Sequence, residues 1–132
     1  EISDRMPAYV AKRVQDTLNT ERKSLNGSVV LLLGVTYKAN VSDQRETPAR
    51  PLAAHLAAMG ADVRYFDPHV DTFTFNGREL IGEDDLEQAL AMADIAVLVQ
   101  AHDEIVKSGA LNRVGHILDT RGVLSGNNVE RL

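Results

Sequence analysis

Two unbroken apolar runs, SVVLLL from Ser28 to Leu33 and IAVLV from Ile95 to Val99, restrict the fold of this chain more than any other feature. A strand with one wet face alternates apolar and polar residues. A run without alternation suits a strand covered on both faces, as in a parallel sheet flanked by helices. Two further segments read as strands: Asp62 to Phe66, which stops at Asp67-Pro68, and His116 to Asp119, which stops at Thr120-Arg121-Gly122. Between Phe73 and Leu80 the dipeptide Asn76-Gly77 predicts a hairpin turn.

Helical stripes separate these strands. From Pro7 to Thr20, Val10, Val14 and Leu18 recur every four residues, with Lys12, Arg13 and Asp16 on the other faces. Ser3 or Asp4 is the expected cap, Met6-Pro7 the opening, and Glu21 to Gly27 the close. A second stripe, Leu52, Leu56 and Met59, ends at Gly60; its start is read either at Thr47-Pro48 or, because proline removes a backbone donor, at Pro51. Glu83 to Ala93 and a short segment near Asp103 to Ser108 complete the helices. Strands and helices alternating in this way predict an α/β, Rossmann-like parallel sheet with helices on both faces. The first helix precedes that pattern.

The 132 residues suit one core. No apolar stretch approaches the roughly 20 residues of a membrane span. The N-terminus has no basic start followed by an apolar core, so a cytoplasmic protein is expected. A net charge of −5, with lysines and arginines scattered among acids, argues against nucleic acid as a partner. There is no cysteine, which removes disulfides, thiolate metal sites and a cysteine nucleophile from this chain. Of the four histidines, His55 and His116 read as surface or packing residues. His69 and His102 open loops on the ligand side, without the spacing of a metal site.

In open parallel sheets ligands bind beyond the carboxyl ends of the strands, so the residues after Leu33, Phe66, Val99 and Asp119 matter most. The first strand leads into GVTYKANVSDQRETP, which lacks the G-x-G-x-x-G turn that lets a backbone close on a dinucleotide pyrophosphate. It does carry Lys38 and Arg45, with Thr47 at a helix start where backbone N–H groups receive anions. These cations suit a phosphorylated ligand, or they are solvated charges paired with Asp43 and Glu46. Asp67 could be a ribose-binding acid; without a Gly-rich first turn, a strand-terminating Asp-Pro turn is the preferred reading.

Gly34-x-Thr36-Tyr37-Lys38, six residues, Arg45-Glu46-Thr47, and then Tyr65-Phe66-Asp67-Pro68 together resemble the UDP-glucose/GDP-mannose dehydrogenase family. The resemblance runs from about Ser28 to Leu124, in register with the family's C-terminal UDP-binding domain. Residues 1–26 look like the end of its long central linking helix and 27–132 like the UDP-sugar-binding domain. Leu98-Val99-x-Ala101-His102-Asp103-Glu104 resembles bacterial enzymes that oxidise UDP-N-acetyl sugars, UDP-N-acetylmannosamine especially, more than UDP-glucose dehydrogenases.

The resemblance implies that Tyr37 and Lys38 contact the UDP-sugar, that Arg121 contacts the substrate, and that Arg45 reaches across a domain interface towards NAD. Next to Arg121, where the family often has a second basic residue, this chain has Gly122. The implied parent is an NAD-dependent UDP-sugar 6-dehydrogenase of polysaccharide biosynthesis, forming a uronic acid through a thiohemiacetal on a cysteine. That cysteine and the main NAD site would lie in an N-terminal domain of the same enzyme. The present chain alone is expected to be inactive, and the central helix allows a homodimer. A stand-alone nucleotide-binding regulatory module is the alternative; a chain that opens on a helix without a preceding strand suggests a cut inside a longer protein. A structural domain without a ligand would leave Lys38, Arg45 and Arg121 unexplained at one sheet edge.

Overall fold

A computed structural model describes the backbone of residues 2–132 and the side chains of residues 6–132. In chain order the elements are α1 (Ile2–Thr20), β1 (Val29–Leu33), α2 (Ala49–Ala58), β2 (Asp62–Phe66), β3 (Thr72–Phe75), β4 (Arg78–Ile81), α3 (Leu86–Met92), β5 (Ile95–Leu98), α4 (Asp103–Val106), a 3-10 turn at Leu111–Arg113, β6 (Ile117–Asp119) and β7 (Val129–Arg131). Five strands form a parallel sheet in the order β2-β1-β5-β6-β7. The Rossmann-like expectation therefore holds.

Strand side chains alternate between two cores. Val30, Leu32, Val63, Tyr65, Val97 and Leu118 face α1 and α2, meeting Val10, Val14, Leu18, Leu52, Ala53 and Leu56. Leu31, Leu33, Ala96, Leu98 and Ile117 face the other way, onto Leu90 of α3, Ile105 of α4 and Val114. This double burial is why β1 and β5 read as unbroken apolar runs. The apolar stripe of α1 is buried against the sheet, with Val14 and Leu18 both 0% exposed. Complete burial of each such side chain contributes about 1.5–3 kcal/mol.

Several boundaries differ from the sequence reading. The helix α1 already runs from Ile2, so Pro7 lies inside it instead of opening it. Proline forfeits a hydrogen bond there, but its ring is buried beside the apolar stripe. The cap expected at Ser3 or Asp4 falls on side chains outside the described residues. The helix α2 starts at Ala49, between the two starts considered. Pro51 thus falls in its first turn, where a missing N–H breaks no intrahelical bond. The Thr47 hydroxyl still turns the chain into this helix, accepting from Ala49 N at 3.1 Å. The edge strand β7 has no sequence signal, since Val-Glu-Arg is too short to show a period. The predicted hairpin is present: β3 and β4 pair antiparallel about Asn76 (φ 49°) and Gly77 (φ 74°), both left-handed as a tight primed turn requires.

The registers set Leu33, Phe66, Leu98 and Asp119 level across four neighbouring strands. From β1 the chain goes outward to β2, then returns on the far side of β1 to β5. The connections therefore diverge between β1 and β5, which opens a crevice at the carboxyl ends.

Candidate functional site

Beyond Leu33 and Leu98 the backbones of β1 and β5 nearly touch. Val99 N and Gln100 N both donate to Leu33 O, at 2.9 and 3.2 Å, while Gly34 N donates to Phe66 O at 3.0 Å. The loop from Val35 to Thr47 then rises over the crevice and is tied down at several points. Val35 N donates to Asp67 Oδ2 at 2.7 Å, Tyr37 N to Asp43 O at 2.7 Å, and Gln100 Nε2 to Tyr37 O at 3.0 Å. Arg50, from α2, donates to Gln44 O at 3.0 Å. The outcome is an ordered path for a polar loop that carries Tyr37 and Lys38 on its outer side.

A cleft of about 510 Å³ opens beside this loop, lined by Tyr37, Glu46, Thr47, Pro48, Arg50, Gln100 and Arg121 among others. A second hollow of about 290 Å³, lined by Met6, Pro7, Val10, Leu52 and Val99, shares Pro48 and Arg121 with it. A polar trough and an apolar recess thus meet at the start of α2 and the end of β6. Tyr37 is 49% exposed with its ring free to meet a ligand. The Lys38 ammonium lies 5.8 Å from that ring's centroid. Among the described residues neither Lys38 nor Arg121 has an ion-pair partner, so the Arg121 charge is available to the cleft and the Lys38 charge beside the Tyr37 ring.

Arg121 is positioned by a buried carboxylate. Asp119 ends β6 at 1% exposure, and its two oxygens accept four backbone N–H groups. Oδ1 takes Arg121 N and Gly122 N, each at 2.9 Å, and Oδ2 takes Val123 N at 2.8 Å and Leu124 N at 2.7 Å. Charge-assisted bonds of this kind are the strong ones, so the Arg121 backbone is fixed while its side chain remains exposed.

Of the residues expected from sequence, Tyr37 and Arg121 line one cleft and Lys38 lies beside the Tyr37 ring, whereas Arg45 is held by an acid. Its guanidinium forks onto Asp43, with Nε at 3.0 Å from Oδ1 and Nη2 at 2.9 Å from Oδ2. One of the two pairings considered from sequence is therefore formed, and Glu46 instead lines the cleft. Hydrogen bonds from the Arg45 side chain and backbone lower the Asp43 carboxyl from its usual 3.8 to about 2. A depressed carboxylate keeps its pair above the unfolded value and loses it as pH falls through the folded one. We therefore expect the fork to be complete above about pH 4 and to break near pH 2. A carboxyl-carbon NMR titration should give Asp43 a midpoint near 2; the ordinary value would mean the fork does not persist in solution.

Asp67 is a clamp. It is buried, and besides Val35 N it receives His69 N at 2.8 Å and lies 2.9 Å from the His102 ring. Its oxygens are occupied, which agrees with the turn reading and not with a ribose contact. Gln100 and His102 were not assigned roles from sequence. Both lie just beyond β5, but their partners in the loop after β1, Tyr37 O for Gln100 and Asn40 N for His102, are backbone atoms more than sixty positions away.

Comparisons with known proteins give the family of the fold that carries this cleft. Residues 31–126 match the UDP-glucose/GDP-mannose dehydrogenase family, UDP binding domain. A UDP-N-acetyl-D-mannosamine dehydrogenase from Methanococcus maripaludis is 30% identical over 135 residues, covering 96% of this chain and 30% of that protein. An NDP-N-acetyl-D-galactosaminuronic acid dehydrogenase from Ralstonia nicotianae is also 30% identical, covering 98% of this chain and 30% of that protein. Among solved structures, an NDP-N-acetyl-D-galactosaminuronic acid dehydrogenase from Methanosarcina mazei superimposes with a TM-score of 0.78 at 25% identity, over 98% of this chain and 29% of that one. The chain thus spans about 30% of the length of the relatives it matches.

Proposed function

The chain belongs to the UDP-glucose/GDP-mannose dehydrogenase family through its UDP binding domain, and from that premise we propose that the cleft between Tyr37 and Arg121 holds the UDP portion of a sugar nucleotide. The observation that carries this reading is that an exposed aromatic ring and Arg121 line one cleft, with the Lys38 ammonium 5.8 Å from that ring's centroid. Tyr37 supplies a face for the base or sugar. Lys38 and Arg121 are within side-chain reach of the same edge, and both suit diphosphate oxygens. In this reading residues 1–26 close a linking helix and 27–132 form the binding domain.

The parent enzyme is then an NAD-dependent 6-dehydrogenase that oxidises a UDP-sugar to its uronic acid, with UDP-N-acetylmannosamine the preferred substrate. The relatives' names and the His102-Asp103-Glu104 region support that choice. A dinucleotide does not fit the end of β1 in this chain. The turn has only Gly34, and Asp67, the acid a ribose would need, is already used by Val35, His69 and His102. NAD is accordingly assigned to an N-terminal domain of the same enzyme, with Arg45 able to leave Asp43 and reach towards it. The chain contributes binding and orientation, and without cysteine it contributes no thiol.

A hydrogen bond to a charged oxygen contributes about 1.5–3 kcal/mol. Lys38→Ala and Arg121→Ala should therefore each weaken UDP by roughly tenfold or more, with melting temperatures unchanged within a few degrees. Equilibrium titration of each variant checks this. Affinity that survives both substitutions would reject the cleft as the diphosphate site.

A further inference from the structure

His102 is fully buried, at 0% exposure, and it joins the segment after β5 to those after β1 and β2. Its Nδ1 lies 2.7 Å from the backbone N of Asn40, which can only donate, so Nδ1 must be the acceptor. Its Nε2 lies 2.9 Å from Asp67 Oδ2 and 3.3 Å from Thr36 Oγ1. The single Thr36 hydroxyl hydrogen is given to Lys38 O, at 2.5 Å, so towards His102 that oxygen can only accept. Two separate arguments thus fix the same tautomer: proton on Nε2, lone pair on Nδ1.

We propose that His102, in this Nε2–H tautomer, is the positioning residue for the nucleotide contacts of Tyr37 and Lys38. The proposal rests on the cleft being the UDP site. Asn40 stands in a left-handed conformation, φ 64°, immediately after the Tyr37-Lys38-Ala39 turn. That conformation costs energy in a non-glycine residue and persists where the surroundings hold it. Here the hold is double: the Asn40 backbone N on His102, and the Asn40 side chain on Asp103 N at 2.8 Å. Thr36 secures the other end of the turn, through Lys38 O. Its own orientation comes from His102, whose Nε2 also meets Asp67, and Asp67 takes Val35 N. Tyr37 and Lys38 therefore lie between two anchors that both lead to one imidazole. His102 touches neither the cleft nor a ligand in it, so its effect is transmitted through the loop.

The two ring nitrogens can be tested separately. In His102→Asn the side-chain oxygen can occupy the place of Nδ1 and accept from Asn40. In His102→Gln the amide nitrogen can occupy the place of Nε2 and donate to Asp67, leaving Asn40 N–H without its acceptor. We expect UDP affinity to fall by about threefold in the asparagine variant and by about tenfold or more in the glutamine variant, whatever their relative thermal stabilities. Equal losses, or the reverse order, would overturn the proposal, because a merely structural histidine has no reason to rank the variants this way.

Amide shifts of the same variants without ligand separate this claim from the assignment of the cleft. The glutamine variant should displace the Tyr37, Lys38 and Asn40 amides more than the asparagine variant. If it does so in a chain that proves not to bind UDP, the loop anchor stands and the cleft assignment fails. If the shifts do not differ, the anchor fails. Long-range ¹⁵N–¹H spectra of histidine in the unaltered chain give a reading that needs no variant. An unprotonated Nδ1 on His102 together with an exchange-protected Asn40 amide supports the proposal, and a protonated Nδ1 or an unprotected amide overturns it.

Discussion

Replacing Gly34 by alanine is expected to destabilise the chain by about 2–5 kcal/mol and to weaken the cleft at the same time. Gly34 has φ 82°, and a Cβ placed there would stand 2.7 Å from Gln100 O and 2.8 Å from Gln100 Cβ. The nearest obstacle is backbone, so no rotamer change relieves it. Relief requires β1 and β5 to part where Gln100 N and Val99 N both bond Leu33 O. Gln100 also holds Tyr37 O, so the displacement passes directly to the ligand loop. Gly77→Ala provides the control: its φ is 74°, but a Cβ there meets nothing within 4 Å. It should lose only the conformational part, about 1–2 kcal/mol. Denaturant unfolding of the two variants checks this, and equal losses would mean that the close approach at Gly34 is relaxed in solution.

The second large effect is expected at Asp119. Asparagine keeps the shape but replaces one carboxylate oxygen by an NH2 group. Two of the four N–H donors from Arg121, Gly122, Val123 and Leu124 would then face a donor. With hydrogen bonds to a charged group contributing about 1.5–3 kcal/mol each, Asp119→Asn should cost about 3–5 kcal/mol. That corresponds to a melting temperature lower by roughly 10–20 °C for a chain of this size. Because the loop carries Arg121, affinity for UDP should also fall, whereas Arg121→Ala lowers affinity alone. A loss below about 1 kcal/mol for Asp119→Asn would show that water replaces the carboxylate in this loop.

The sequence made the strands legible where burial on both sheet faces left an unbroken apolar run, as in VVLLL of β1 and IAVL of β5. The Asn76-Gly77 turn was legible because few other residue pairs accept two positive φ values. The edge strand β7 was not, since it buries little on either face. Tyr37, Lys38 and Arg121 could be placed at one edge because a parallel sheet puts successive strand ends on the same side. Their supports were hidden for a physical reason. Asp67, Asp119 and His102 act on backbone N–H groups, which every residue has, so nothing in the side-chain pattern marks their partners. Only the folded path of the loops brings Asn40 to His102, 62 positions away.

Amide shifts on adding UDP to the isotopically labelled chain test the cleft assignment most directly. Weak binding is expected, nearer millimolar than micromolar, because a ligand held by this cleft alone stays largely solvated. The shifts should cluster at Gly34 to Lys38, at Gln100 and at Thr120 to Gly122, and they should fade in Lys38→Ala. Saturating UDP that leaves these amides unmoved, or that moves instead the acidic hollow formed by Asp71, Glu83 and Asp84, would contradict the assignment.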